Sequence, residues 1–136
     1  RTCAATNTTL HLVQPLGFNI DEKSVRRAGL DYWRYVDLIV HDSMDKFLSE
    51  YGNARLFLAT THGDNCYTDF EYEDGDMFLF GRETRGLPKE LIGNYNDTAI
   101  RIPMSENTRL RSLNLANSVN IVLFEALRQN GFPGLL

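Results

Sequence analysis

Residues 76–88 read DMFLFGRETRGLP, an apolar run that leads straight into a charged, glycine-rich loop. The run from Met77 to Phe80 has no polar residue, which is typical of a strand covered on both faces of a parallel sheet. The loop then carries two arginines and Glu83 between two glycines and ends at Pro88. A plain turn needs one glycine or a Gly-Pro pair, so this stretch predicts a buried strand that ends in a binding loop.

Strand-type and helix-type patterns alternate along the rest of the chain. Apolar runs typical of strands occupy residues 9–15, 36–41, 55–60, 76–80 and 99–103. Helical patterns occupy residues 24–29, the segment from the N-cap Ser43 to Gly52, the short run that Pro88 opens as its first residue, and a last helix over 114–130 closed by Gly131. This alternation with short connections predicts an α/β fold, with a mainly parallel sheet flanked by helices, in one domain over residues 1–136.

Three loops follow strands of this sheet at their carboxyl ends, where open α/β sheets bind ligands. They read TTHGDN after 55–60, GRETRGLP after 76–80 and MSENTRLRSLN after 99–103. Gly81 would let a ligand approach bare backbone, or it serves a simple turn. Glu83 would accept a hydrogen bond from a ligand, or it pairs with a neighbouring arginine. These loops form the candidate site.

The start of the last helix is unusually polar for a helix that is otherwise apolar. Asn114, Asn117 and Ser118 lie one turn apart and share a face. Asparagine is a poor helix former and is costly to bury without partners. A cap explains one of the three residues, so the group indicates a polar ligand or a polar contact with another segment.

Length and composition place the chain among ordinary globular proteins. It has 136 residues, 43% apolar and 24% charged, and no uninterrupted apolar stretch of membrane-spanning length. Its two cysteines lack metal spacing and no stretch has the pattern of a signal peptide, so the expected location is a reducing cytoplasm. The net charge of −4 hides two mildly basic ends around an acidic middle, and those ends are candidates to meet and face an anion.

Common catalytic and cofactor motifs are absent from the sequence. It has neither G-x-G-x-x-G nor G-x-x-x-x-G-K-[ST], which argues against an ordinary nucleotide enzyme. Its serines lack the G-x-S-x-G elbow of hydrolases. The three histidines are scattered, so core or surface positions are expected for them and no metal site.

Three segments together resemble a known family. FLFGRETRGLP, IRIPM and RSLNLANSV, in this order and spacing, resemble the C-terminal motifs of the SPOUT RNA methyltransferases. LHLVQPLGF and RRAGLDYW are similar to the N-terminal half of one subfamily, the bacterial tRNA (cytidine/uridine-34 2′-O)-methyltransferases. The resemblance covers essentially the whole chain. It implies 2′-O-methylation of the ribose at the wobble nucleotide of tRNA.

The resemblance also implies a trefoil knot, S-adenosyl-L-methionine as methyl donor, and a homodimer in which the partner completes each site. Arg1 matches the arginine that the family uses in catalysis. By position, the cofactor contacts would fall on Ala59, Thr60, Gly81, Glu83, Ile102, Ser112, Leu113, Asn114 and Asn117. On grounds of charge and position, the candidates for contacts to the tRNA backbone are Arg26, Arg27, Arg109 and Arg111, which a solvated surface would also explain.

The sequence departs from the family in three places. The family has a strand and an N-x-G-N loop before the position of Arg1, so a chain that starts there would lack them. Phe124 stands where relatives often carry tyrosine, and about two extra residues lengthen the loop before Ser112. Two alternatives stay open: a ribosomal-RNA ribose methyltransferase, and a non-catalytic RNA-binding module of the same fold.

Overall fold

The computed structural model of the chain describes residues 1–17, 20–107, 109–110 and 112–136. Its internal contacts divide the chain into two compact units, Arg1–Asn53 and Ala54–Leu136, and each unit is described by itself. The interpretation of residues 1–136 as one domain stays a prediction.

Two kinds of feature are not found among the described residues. None of their helices combines the length and the apolar character that a membrane span requires. In the same parts of the chain, no three histidine, cysteine, aspartate or glutamate side chains group together as metal ligands would.

The first unit contains a two-stranded parallel sheet and three helices. Its elements are α1 (Thr2–Ala5), β1 (Leu10–Val13), α2 (Glu22–Arg27), a 3-10 turn (Trp33–Tyr35), β2 (Leu38–His41) and α3 (Met44–Tyr51). The two strands pair in parallel with Leu10 opposite Leu38. The Ser43 side chain accepts a hydrogen bond from the Lys46 N–H at 3.1 Å, which confirms the predicted N-cap of α3.

The second unit contains a four-stranded sheet. Its elements are β3 (Leu56–Ala59), β4 (Asn65–Cys66), β5 (Met77–Phe80), α4 (Lys89–Asn94), a 3-10 turn (Asn96–Thr98), β6 (Ala99–Arg101) and α5 (Leu115–Gln129). The strand order is β4-β6-β3-β5, and each pair is parallel. This confirms the α/β class and the parallel sheet. The sequence pattern predicts Pro88 as the first residue of α4. In the structure Pro88 is instead the N-cap, and the helix begins at Lys89.

The core of the second unit lies between this sheet and α5. Phe57, Tyr72, Ile100 and Val122 are buried together, and the rings of Tyr72 and Phe78 pack against Phe57. The Tyr72 hydroxyl donates a hydrogen bond to the Tyr67 carbonyl. Burial, and then the negative charge of Glu125, raises the pKa of the Tyr72 phenol, so it stays a neutral donor.

Polar contacts fix the direction of α5 across the sheet. Near the helix C-terminus, Gln129 accepts from the Tyr72 N–H at 2.8 Å and donates to the Phe70 carbonyl at 3.0 Å. The neighbouring Glu71 carbonyl accepts from Arg55, which precedes β3, so this segment lies at the amino ends of the strands. The N-terminus of α5 therefore points toward their carboxyl ends.

The loop after β5 folds back on itself. Arg82 and Gly86 form an antiparallel bridge, and the Gly86 N–H donates to the Arg82 carbonyl at 2.8 Å. Gly86 has a φ of +67°, which favours glycine. A Cβ on Gly81 would lie 2.5 Å from the Cα of Gly86. The loop's own backbone thus suffices to require glycine at 81, as in the simple-turn alternative.

Two histidines form a stacked pair in the first unit. His11 Nδ1 lies 2.9 Å from His41 Nε2 and the rings are nearly parallel, with Phe47 and Tyr51 of α3 packed edge-on against them. This bond needs one protonated and one unprotonated nitrogen. Protonation of both His11 Nδ1 and His41 Nε2 would therefore leave two N–H groups facing each other. Burial and the His41 charge lower the pKa of His11, while Asp37 opposes the shift.

We expect Gly81→Ala to disrupt the loop after β5. The new methyl group overlaps the backbone of Gly86, and overpacking of this kind costs about 1–3 kcal/mol in unfolding free energy. Gly93→Ala is the matched control, because a Cβ at that exposed position in α4 meets nothing within 4 Å. That control should stabilise the protein by about 0.5–1 kcal/mol, through better helix propensity. Urea unfolding of both variants measures their free energies of unfolding. Equal stability of Gly81→Ala and Gly93→Ala would contradict the requirement for glycine at 81.

We expect the first unit to lose stability in mild acid. His11 has a folded-state pKa below its unfolded value, so the unfolded chain binds more protons between those two values. This contribution is complete above about pH 6.5 and is lost as the pH falls through the folded pKa. Urea unfolding followed through the only tryptophan, Trp33, measures it at about pH 7.5 and 5.5.

The variant His11→Asn should flatten that pH dependence, whereas His62→Asn, at an exposed position in the second unit, should leave it unchanged. An identical slope for His11→Asn and the wild-type protein would contradict the role of the pair.

Candidate active site

The carboxyl ends of three neighbouring strands form one row. Ala59 is paired in register with Phe80 of β5 on one side and with Ile100 of β6 on the other. The next residue, Thr60, donates its N–H to the Ile100 carbonyl at 2.9 Å. Gly81 directly follows Phe80, and Ile102 follows two residues after Ile100. The structure therefore brings together four of the predicted cofactor residues: Ala59, Thr60, Gly81 and Ile102.

The loop after β3 is fastened to β6 by Arg101. Its Nη1 donates to the Asp64 carbonyl at 2.8 Å and to the Gly63 carbonyl at 3.1 Å. Gly63 is buried, and a Cβ there would lie 2.8 Å from the carbonyl carbon of Ile100. The loop thus crosses close to β6 before β4 begins. Sequence reasoning missed both residues, although Arg101 is the only charge in the run AIRIP and was a usable signal.

Glu83 lies in the turn that the bridge between Arg82 and Gly86 closes. Its side chain is exposed, so the carboxylate is accessible to a ligand. The turn begins one residue after Gly81 and therefore stands next to the row of strand ends. This placement is compatible with the predicted role of Glu83 as an acceptor for a ligand hydroxyl or amine, which stays a prediction.

The start of α5 is shaped by its own capping bonds. Asn114 is the N-cap and accepts from the Asn117 N–H at 3.3 Å, and the Ser118 hydroxyl donates to the Asn114 carbonyl at 3.2 Å. The single cap, Asn114, and the bond of the Ser118 hydroxyl to the carbonyl four residues earlier therefore explain two of the three polar residues. The Asn117 side chain is exposed. Ser112 and Leu113, both exposed, lead into this helix end, which points toward the carboxyl ends of the strands.

Arg1 belongs to the first unit. Its guanidinium carbon lies 4.7 Å from the centre of the Tyr32 ring, and its Nη2 lies 3.8 Å from Asp31 Oδ1. The Arg1 side chain is 75% exposed, so it remains accessible to an anion.

The predicted RNA-contacting arginines occupy two regions. Arg26 and Arg27 lie in the last turn of α2. With Lys23 and Asp21 they line an open cavity with a volume of about 510 Å³. Arg109 is exposed in the segment between β6 and α5. Arg111 lies outside the described residues.

Comparison with known proteins places these features in a family. Residues 1–124 match the model of the SpoU rRNA methylase family. A protein of Bacillus subtilis (strain 168), provisionally named a tRNA (cytidine(34)-2′-O)-methyltransferase, is 50% identical over 138 residues, which cover 99% of this chain and 85% of that protein. The tRNA (cytidine(34)-2′-O)-methyltransferase of Burkholderia cenocepacia (strain HI2424) is 47% identical, with 98% of this chain and 86% of that protein covered.

Solved structures are similar over nearly the whole chain. A structure described as giving insight into the 2-OH methylation of C/U34 on tRNA matches with a TM-score of 0.85 and 41% identity, covering 96% of this chain and 84% of that one. An AdoMet-bound rRNA methyltransferase from Sinorhizobium meliloti matches with a TM-score of 0.75 and 27% identity, covering 94% of this chain and 49% of the other. On the match over residues 1–124 and these identities, the chain belongs to the SpoU methylase family.

Proposed function

We propose that this protein transfers the methyl group of S-adenosyl-L-methionine to the ribose 2′-oxygen of the wobble nucleotide, a cytidine or uridine at position 34 of tRNA. The observation that carries this proposal is the row formed by Ala59, Phe80 and Ile100, from which three loops start at one edge of the sheet. Relatives that are 41–50% identical to this chain are named or described for that reaction.

The residues at this edge fit the chemistry of the cofactor. S-adenosylmethionine has a flat adenine, a ribose diol and an amino-acid tail, so it needs apolar surface, acceptors for hydroxyl groups and polar partners for the tail. Ile102 and Leu113 supply apolar surface, and the exposed Glu83 supplies a carboxylate. Asn117 supplies an amide that the helix cap does not occupy, because the cap uses its backbone N–H. When bound, the cofactor supplies an activated methyl group on a sulfonium.

The protein's main task in this reaction is alignment. Methyl transfer to an oxygen is an in-line displacement, so the ribose oxygen must be held on the line of the methyl–sulfur bond and water kept away. The 2′-hydroxyl becomes a good nucleophile only as its proton leaves. A guanidinium does not lose its own proton in proteins. We therefore assign Arg1 the role of anchoring the adjacent phosphate or the developing oxyanion, while a phosphate oxygen or water accepts the proton.

The choice of tRNA over ribosomal RNA rests on the pattern of identities. Relatives named for position 34 of tRNA are 47–50% identical to this chain. The AdoMet-bound rRNA methyltransferase is 27% identical and about twice as long as the matched part, since this chain covers 49% of it.

Three finer features belong to this proposal. The trefoil knot would bring the segment before α5 against the loops of β3 and β5. A homodimer would complete each site, and exposed apolar side chains of the second unit, among them Phe124 at 44% exposure, fit such an interface. Arg26, Arg27, Arg109 and Arg111 would contact the tRNA backbone, with binding that weakens as salt is added.

The test is methyl transfer from labelled S-adenosylmethionine to bulk tRNA by the full-length protein. We expect transfer by the wild-type protein and a loss of turnover of about 10- to 100-fold in Arg1→Lys, because lysine keeps the charge but loses the planar donor fork. Cofactor affinity, measured by calorimetry, should stay within about twofold of the wild-type value, since Arg1 is assigned to the RNA.

Arg34→Lys is the matched control, because Arg34 is also stacked on a tyrosine of the first unit and has no assigned role. It should keep wild-type turnover. Absence of methyl transfer by the wild-type protein, with cofactor binding absent as well, would favour a non-catalytic RNA-binding module. Wild-type turnover by Arg1→Lys would contradict the role of Arg1 alone.

A further inference from the structure

The guanidinium of Arg1 is held by two neighbours on the segment that follows α2. The guanidinium carbon lies over the Tyr32 ring, 4.7 Å from its centre, and Nη2 lies 3.8 Å from Asp31 Oδ1. We propose that Tyr32 is a positioning residue for Arg1, and that Asp31 occupies the place that an RNA phosphate takes during the reaction. This inference rests on the proposed function, because it assigns Arg1 to the methylated ribose.

Stacking and ion pairing use different parts of a guanidinium. A ring attracts the flat face of the cation, which leaves the N–H donors at the edge directed outward. The separation of 3.8 Å between Arg1 Nη2 and Asp31 Oδ1 exceeds the 2.7–2.9 Å or so of a charge-assisted hydrogen bond. Both side chains are largely exposed, at 75% and 86%, so this ion pair is weak. The contact with Tyr32 therefore restrains the guanidinium, whereas the pairing of its N–H groups with Asp31 is exchangeable.

Tyr32 lies in a turn that backbone hydrogen bonds close. Gly29 has a φ of +69° and closes α2, with its N–H bonded to the Arg26 carbonyl at 3.0 Å. The Leu30 N–H then bonds to the carbonyl of the buried Val25 at 3.2 Å, and the Tyr32 carbonyl accepts from the Tyr35 N–H at 2.9 Å. A ring carried by such a turn is a rigid support, which a functional group on a long flexible side chain requires.

Positioning matters for this reaction more than for most. The protein contributes alignment and charge, and a displacement of about 1 Å in such an arrangement can cost about 100-fold in rate. The Tyr32 ring supplies a restraint on the Arg1 side chain.

The chain offers a matched pair for the test. The guanidinium carbon of Arg34 lies 4.8 Å from the centre of the Tyr35 ring. An arginine–tyrosine contact of the same kind therefore occurs three residues after Tyr32, at a pair with no assigned role. Tyr35 is 65% exposed. Tyr35→Leu therefore removes a stacked tyrosine from the same turn while it leaves Arg1 and Tyr32 in place.

The experiment measures turnover and KM for tRNA in full-length Tyr32→Leu, Tyr32→Phe and Tyr35→Leu. We expect Tyr32→Leu to lose about tenfold or more in kcat, while Tyr32→Phe and Tyr35→Leu stay within about threefold of the wild-type value. A phenyl ring rescues stacking but not a hydroxyl contact, so this pattern separates positioning from a structural role of the hydroxyl.

Adding Tyr32→Leu to Arg1→Lys should cost little more in kcat than Arg1→Lys alone, because both changes remove the same restraint. Asp31→Asn should lower KM for tRNA severalfold at low salt.

A second readout does not depend on activity. Stacking on Tyr32 shifts the NMR signals of the Arg1 side chain upfield, and Tyr32→Leu should remove that shift, whereas Tyr35→Leu should not. Methyl transfer by Tyr32→Leu at the wild-type rate, or additive losses in the double variant, would overturn the positioning role while the proposed function stands. Absence of transfer by the wild-type protein would overturn both, even with the upfield shift present.

Discussion

The pairing of β3 with a strand on each side is the constraint on which the rest of the second unit depends. Leu56, Phe57 and Leu58 are at most 2% exposed, so this strand cannot serve as an edge. Its last residue, Ala59, faces Phe80 and Ile100 in register. Because parallel strands end at the same edge of a sheet, three separate loops must begin within one residue row. A candidate site at that edge therefore follows from the register before any side chain of the loops is considered.

Polar contacts then fasten the loop after β3 and the helix α5 to this sheet. Arg101 ties the loop after β3 to the neighbouring strand through two carbonyl groups. Gln129 ties the far end of α5 to the segment before β5. Three of these four bonds pair partly buried backbone groups, so they contribute specificity as well as stability. The N-terminus of α5 is thereby directed to the same edge as the loops.

Much of this frame could be predicted from the sequence, and the exceptions have physical reasons. The runs at 55–60, 76–80 and 99–103 were readable as strands because they are apolar without interruption, and Ser43 was readable as a cap. The strand β4 has two residues, which is too short for any periodicity. The reason for Gly81 depends on Gly86 returning to it, and the stack of Arg1 on Tyr32 joins residues far apart in sequence. A knot depends on the threading of a whole segment, so only the family resemblance predicts it.

The most direct test of the proposed reaction changes a single atom of the substrate. Two tRNA transcripts, identical except that one carries 2′-deoxyribose at position 34, would be incubated with the full-length protein and labelled S-adenosylmethionine. The account predicts methyl transfer to the transcript with ribose at position 34 and none to the 2′-deoxy transcript, with cofactor binding equal in both reactions. Equal labelling of the two transcripts would contradict it, because the accepting oxygen would then lie elsewhere.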